Sequence, residues 1–220
     1  MSRIVCLVPV LLLATACGLS GAGTALSEAA HHGDLPEVQR LLAAGANPNP
    51  PTRGFEMSPL GLAAQHGSTD VMTVLLDAGA SPEQESGIND WTPLVHAVHT
   101  EKREAIRLLL ARTHPGKENL ARALEMAAAY GLPDVVRDLL AAGATGSADA
   151  LAGAVGGSWD IDAEWKGCGP HTDTVRVLLA ASPGLRFPDT LSGRSALRFA
   201  KKKGCTEMLS LVEGEVRAAN

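Results

Sequence analysis

Aromatic side chains are scarce: Trp, Tyr and Phe make up 3% of the 220 residues, although 45% are hydrophobic. The core must therefore be built from Ala, Leu and Val. Positive charge is also in short supply. Nineteen Lys and Arg face 24 Asp and Glu, a net charge of −5, which argues against nucleic acid and against a polybasic membrane patch. The one basic run, Lys201-Lys202-Lys203, reads as a solvated capping face. No window alternates polar and apolar residues strongly enough for a sheet, and after Leu13 no stretch is long and apolar enough to span a bilayer. The signatures of catalysis are missing as well: Gly-x-Ser-x-Gly, His-Glu-x-x-His and the phosphate loop do not occur. These absences point to a non-catalytic protein with no cofactor. The remote enzymatic alternative is a thiol nucleophile at Cys168 with His171 three residues away.

What the chain does have is a repeat. Leu pairs recur at Leu41-Leu42, Leu75-Leu76, Leu109-Leu110, Leu139-Leu140, Leu178-Leu179 and Leu211-Val212, at spacings of 34, 34, 30, 39 and 33. Each pair ends a second helix that follows a short Ala-rich one. A period near 33 marks a stacked helical solenoid, whose long open surface makes binding the default function. The segment Ser58-Pro59-Leu60-Gly61-Leu62-Ala63-Ala64-Gln65-His66-Gly67 resembles the first helix and turn of an ankyrin repeat. Val71 to Ala80 resembles its second helix and glycine stop, and Thr92-Pro93-Leu94-Val95-His96-Ala97 opens the next copy. The likeness covers residues 25–212. Gly61 and Val95 stand where the family places a histidine after Thr-Pro-Leu, so the family's Thr–His hydrogen bond is expected to be absent.

Local chemistry agrees. Pro93 suits a first helical turn and Thr92 can cap it. Gly45, Gly79 and Gly143 follow second helices, where a left-handed residue ends a helix at low strain. Ala pairs at 29–30, 63–64 and 127–128 let the paired helices approach closely. The expected fold is an all-α ankyrin-repeat solenoid of about six helix-turn-helix repeats over residues 25–220, the first a capping repeat, with an irregular insertion at 159–171 in repeat five.

The amino terminus reads as an address. Met1-Ser2-Arg3 is briefly basic, Ile4 to Leu13 is apolar, and small residues precede Cys17. Residues 1–16 are read as a signal peptide and 17–24 as a short tether. Leu13-Ala14-Thr15-Ala16-Cys17 is similar to a bacterial lipoprotein box that lipidates Cys17, with Ala14 where such boxes favour Leu. Ordinary cleavage after Ala16 is the alternative. Either way the expected location is the bacterial envelope, periplasmic or lipid-anchored at the outer membrane. Cys168 and Cys205 fall at the same corner of adjacent repeats, and in an exported chain that arrangement invites a disulfide.

Ankyrin-like proteins bind through loop tips and the inner face of their first helices, and this resemblance directs the choice of contact residues. The first loop offers Arg53 and Phe55, and the second offers Glu83, Glu85, Asn89 and Trp91. Aromatic and Arg side chains are favoured anchors, although Trp91 can equally pack under a neighbouring loop. An inner stripe reads His31-His32, Gln65-His66, His99-Thr100, Ala129-Tyr130 and Lys202-Lys203, and from it His66, His99 and Tyr130 are candidates. A separation of about 10 Å between repeats disfavours a metal site across these histidines. The insertion adds Trp159, Asp160, Asp162 and Trp165, which either bind a partner or seal the end of the stack. Its alternating carboxylates lack the glycine turn and distal Glu of a common calcium loop.

The expectation is a monomeric module that binds another protein. An immunity or inhibitor protein against an envelope toxin is one form, and a helper of a periplasmic enzyme in oxidative-stress defence is the alternative. Both rest on family analogy.

Overall fold

The computed structural model describes residues 19–217 apart from 53, 55 and 158–164, and side chains from Ala25 to Glu213. Twelve helices are described, forming six antiparallel pairs: α1 (Leu19–His32) with α2 (Leu35–Ala43), α3 (Pro59–His66) with α4 (Thr69–Asp77), α5 (Pro93–His99) with α6 (Arg103–Arg112), α7 (Lys117–Ala129) with α8 (Pro133–Ala141), α9 (Ala148–Gly156) with α10 (Cys168–Ala181), and α11 (Leu191–Lys203) with α12 (Thr206–Arg217). Odd-numbered helices pack in one row and even-numbered helices in another. Long connections therefore lie along one edge of the stack and short turns along the opposite edge.

Side chains chosen for their caps set the helix starts. Ser58, Thr92, Ser147 and Thr190 each accept a hydrogen bond from the backbone N–H three residues on, satisfying donors that the helix leaves unpaired. The stops repeat as faithfully. Ala46, Ala80 and Ala144 donate to the carbonyls of Leu41, Leu75 and Leu139 at 2.9–3.0 Å, and the glycine before each has a positive φ. This closing bond needs a left-handed residue, which glycine supplies at low cost.

The first Leu of each pair is buried, at Leu41, Leu75, Leu109, Leu139 and Leu178, while the second is half-buried against the same core. Repeat six departs from this order: Val212 is buried and Leu211 only half-buried. Val212 thus occupies the place of Leu178, and the register of the last repeat lies one residue later than the Leu211-Val212 pair suggests.

Two expected boundaries move. Helix α1 already runs from Leu19, so most of the segment read as a tether is helical; no proline interrupts it before Leu35. Helix α10 begins at Cys168, which places residues 168–171 of the expected insertion in its first turn. No described helix is long and apolar enough to cross a membrane.

Candidate interaction surface

The long connection before α5 folds into a finger. Ser86 and Trp91 exchange both backbone hydrogen bonds, at 3.0 and 3.1 Å, around a tip where Gly87 and Asp90 take positive φ. Ile88 stands 68% exposed at this tip, with exposed Asn89 beside it. The finger's carboxylates turn inward to the next repeat. Glu83 accepts from Asn119 Nδ2 at 3.0 Å and from the Gly116 N–H at 3.2 Å. Glu85 pairs with Arg122 at 2.8 Å, and Arg122 also donates to the Asp90 carbonyl at 3.1 Å. These carboxylates, carried by the loop that offers Asn89 and Trp91, brace the finger against the next repeat.

His96 completes the brace. It lies one place after the position where the family's histidine was expected. Its Nε2 meets the Ser86 carbonyl at 3.3 Å, an acceptor that requires N–H at that nitrogen. The ring is 5% exposed, and Nδ1 has no hydrogen-bond partner. Burial outweighs its backbone hydrogen bonds and pushes its pKa down to about 4. Thr92 donates to Asn119 Oδ1 at 2.7 Å, so the expected loss of a Thr–His bond is met by a Thr–Asn contact between repeats.

Beyond the finger, α5, α7, α9 and α11 bound a groove of about 490 Å³ on the inner face. Its floor is made of small residues, Ala129, Ala152, Gly153, Gly156 and Ala196. A Cβ on Gly156 would stand 2.8 Å from the Ala196 Cβ, so glycine is what lets α9 and α11 come this close. Trp91, Met126 and Tyr130 add larger apolar surface, and Glu125 and Asp149 supply negative charge. Ser147, which caps α9, donates to Glu125 at 3.3 Å. Burial, reinforced by Asp149, holds the Glu125 carboxyl above the usual carboxylate range despite that bond.

The predicted contact residues are distributed unevenly. Trp91 is half-buried on the groove wall, its ring 4.7 Å from His99 and 5.6 Å from His96, so it packs and faces the groove at once. Tyr130, read as a solvent-facing stripe residue, is only 6% exposed, because its hydroxyl turns to His99 Nδ1 at 2.7 Å. His66 is exposed and meets His31 across the repeat boundary, nitrogen to nitrogen at 3.0 Å. The separation expected to keep these rings apart is bridged because both imidazoles reach into it. Burial, then the neighbouring His31, Lys102 and His32, lower the His66 pKa. Among the described residues no group of three or more His, Cys, Asp or Glu is arranged to hold a metal. Cys17, Arg53, Phe55, Trp159, Asp160 and Asp162 lie outside the described residues.

Trp165 sits away from the groove, at the edge of short turns. It stacks on His171 with centroids 3.9 Å apart and meets Phe199 edge-on at 4.9 Å. His171 is buried, its Nδ1–H donating to the Ala154 carbonyl at 2.8 Å, and burial lowers its pKa. Cys168 and Cys205 form a disulfide with Cα atoms 5.4 Å apart, which leaves no thiol at Cys168 for His171 to activate.

Sequence reading overlooked Arg122, Glu125 and Asp149. A signal existed: Arg122, Glu125, Met126 and Ala129 follow helical spacing along one face. Only the stacking of α9 beside α7 brings Asp149 to them.

Residues 26–120 match the family model of ankyrin repeats, in three copies. The crystal structure of EF0377, an ankyrin repeat protein, is similar with a TM-score of 0.68 and 24% identity, over 87% of this chain and 97% of that one. An ankyrin repeat domain from Acinetobacter baumannii AYE (ABAYE2397) is similar with a TM-score of 0.64 and 19% identity, over 86% and 96%. Among curated proteins none matches the chain.

Proposed function

Given that this chain is an ankyrin-repeat solenoid, we propose that it is a non-catalytic binding protein of the bacterial envelope that holds a partner protein on its inner face. The observation that carries this reading is the open groove across four first helices, with Trp91 on its wall and two carboxylates unmatched by any cation among the described residues. A solvent-open trough with a small-residue floor offers contact area without the enclosed, dry site that catalysis needs.

Export is supported by the pattern of residues 1–17 and by the disulfide, a bond that persists in oxidising compartments. Cys17 is the residue that would carry the lipid. The finer proposal is an immunity or inhibitor protein that masks an envelope-acting toxin. A stack braced at every repeat is largely ordered before it binds, which reduces the entropy lost on capture.

The test is affinity capture from envelope fractions with the wild type and with Phe55→Ala/Trp91→Ala. A specific partner retained by the wild type and lost by the variant is expected. Equal retention by both refutes this face as the binding surface, and no specific partner at all refutes the reading. Labelling cells with a palmitate analogue, beside Cys17→Ala, tests the anchor: label is expected on the wild type alone, and an unlabelled wild type overturns it.

A further inference from the structure

Size constrains what the groove can hold. About 490 Å³ lies within the range of about 300–1,000 Å³ usual for ligand pockets. It suits a few side chains of a partner segment rather than a broad domain face. Its floor is apolar and can advance no hydrogen-bonding code, so the polar groups at the margin decide which side chains fit.

Arg122 lines the groove together with Glu125 and Asp149, but the charges left without an ion pair there are of one sign. Arg122 is turned away to Glu85 and to the Asp90 carbonyl. Glu125 is half-buried beside the Ser147 hydroxyl, Asp149 is exposed in the first turn of α9, and neither has an ion pair among the described residues. A purely apolar occupant would strip water from both carboxylates and leave them unpaired, a costly outcome. An acidic occupant would add repulsion. A second copy of this chain, with a net charge of −5, brings the wrong sign.

We propose that the groove recognises an exposed segment of the partner protein in which a Lys or Arg is flanked by apolar residues, the cation lying between Glu125 and Asp149 and the apolar neighbours on the floor and against Trp91. The inference rests on the protein-binding reading above and deepens it by fixing the chemistry of the partner. Raised by burial and by Asp149, the Glu125 carboxyl gains its missing counter-charge when the cation arrives.

The experiment is selection of random short peptides on the intact chain, followed by affinity measurements on synthetic winners. The expected consensus is a Lys or Arg between apolar residues. Glu125→Gln/Asp149→Asn should weaken binding about tenfold, as loss of a partly desolvated charge pair does, and replacing the peptide's Lys with norleucine should weaken it equally. Ser192→Trp, at an exposed position lining the groove, should block binding, whereas Ser192→Ala, which gives up the same hydroxyl contact with Thr190, should bind as the wild type does. An apolar or acidic consensus, no selected peptide, or affinity unmoved by the charge-neutral variant overturns the inference. So does a concentration-dependent dimer that Ser192→Trp abolishes. If envelope capture still yields a Trp91-dependent partner while these peptides show no basic preference, the inference fails and the functional reading stands; if capture yields no partner, that reading fails as well.

Discussion

Lys166, at the end of the segment inserted into the fifth repeat, forms an ion pair with Glu101 in the turn of the third, passing over the fourth repeat between them. Glu101 also stands 3.8 Å from Arg103, and it holds φ at +56° where most other turns use glycine. Two opposing effects meet at this residue. A left-handed non-glycine conformation costs about 1–2 kcal/mol, whereas part-exposed ion pairs contribute about 0–1 kcal/mol. Glu101→Gly is therefore expected to leave stability unchanged or to raise it by up to about 1 kcal/mol. Glu101→Ala keeps the strain, loses the pairs and should lower stability by up to about 1 kcal/mol. Urea unfolding of both variants checks the order; a Gly variant less stable than the Ala variant contradicts it.

The Cys168–Cys205 bond closes a separation of 37 residues. In the chain-entropy model its reduction should cost about 3–4 kcal/mol. The expected observation is a lower urea midpoint in reductant, with an intact mass heavier by two hydrogen atoms. The Cys168→Ala/Cys205→Ala variant should match the reduced protein and show no response to reductant.

His96 makes stability depend on pH. Its folded pKa, about 4, lies below the unfolded value near 6.5, so between these values the unfolded chain binds the extra proton. The contribution is complete above pH 6.5 and is lost as pH falls towards 4, amounting to about 3 kcal/mol. His171 is shifted in the same direction by burial. His96→Gln should flatten the stability profile across this window, as measured by urea unfolding at a series of pH values. A slope unchanged from wild type would count against a buried neutral His96.

Gly156→Ala tests the groove floor. The added Cβ would meet the Ala196 Cβ at 2.8 Å and its Cα at 3.1 Å. Overpacking of this kind costs about 1–3 kcal/mol, against which the gain in helix propensity is about 1 kcal/mol at most. The variant should melt lower, and any ligand of the groove should bind more weakly. Gly153→Ala, whose Cβ would lie 3.3 Å from the Ala129 Cβ, should be milder in both respects.

The fold was legible because Leu pairs and post-helical glycines report one-dimensional spacing directly. Val212 was not: a shift of one residue between two adjacent apolar side chains leaves the composition unchanged and appears only when burial is seen. Tyr130 lines the groove as its inner-stripe position suggested, but the sequence did not show that its hydroxyl is taken up by His99 Nδ1 on the neighbouring repeat. For Trp165 the sequence left binding and sealing open, because the residues that decide its packing, His171 and Phe199, lie 6 and 34 residues away. Glu83 and Glu85 stand in a loop that reads as a contact surface, but their cross-repeat partners Asn119 and Arg122 sit more than thirty residues on. Periodicity states which residues share a face; it does not state which of them are already satisfied by a neighbour.

In a plain stack each repeat touches only those beside it, so opening can begin at either end. Here the end of the insertion breaks that rule. Lys166 reaches back to Glu101, Trp165 spreads over His171 and Phe199, and the disulfide grips the last repeat. The disulfide and the Trp165–Phe199 contact tie repeat five to repeat six, and Lys166 adds one part-exposed ion pair that passes repeat four to reach repeat three. Fraying should be lopsided, with α1 to α4 exchanging their amide hydrogens before the disulfide-tied α10 to α12.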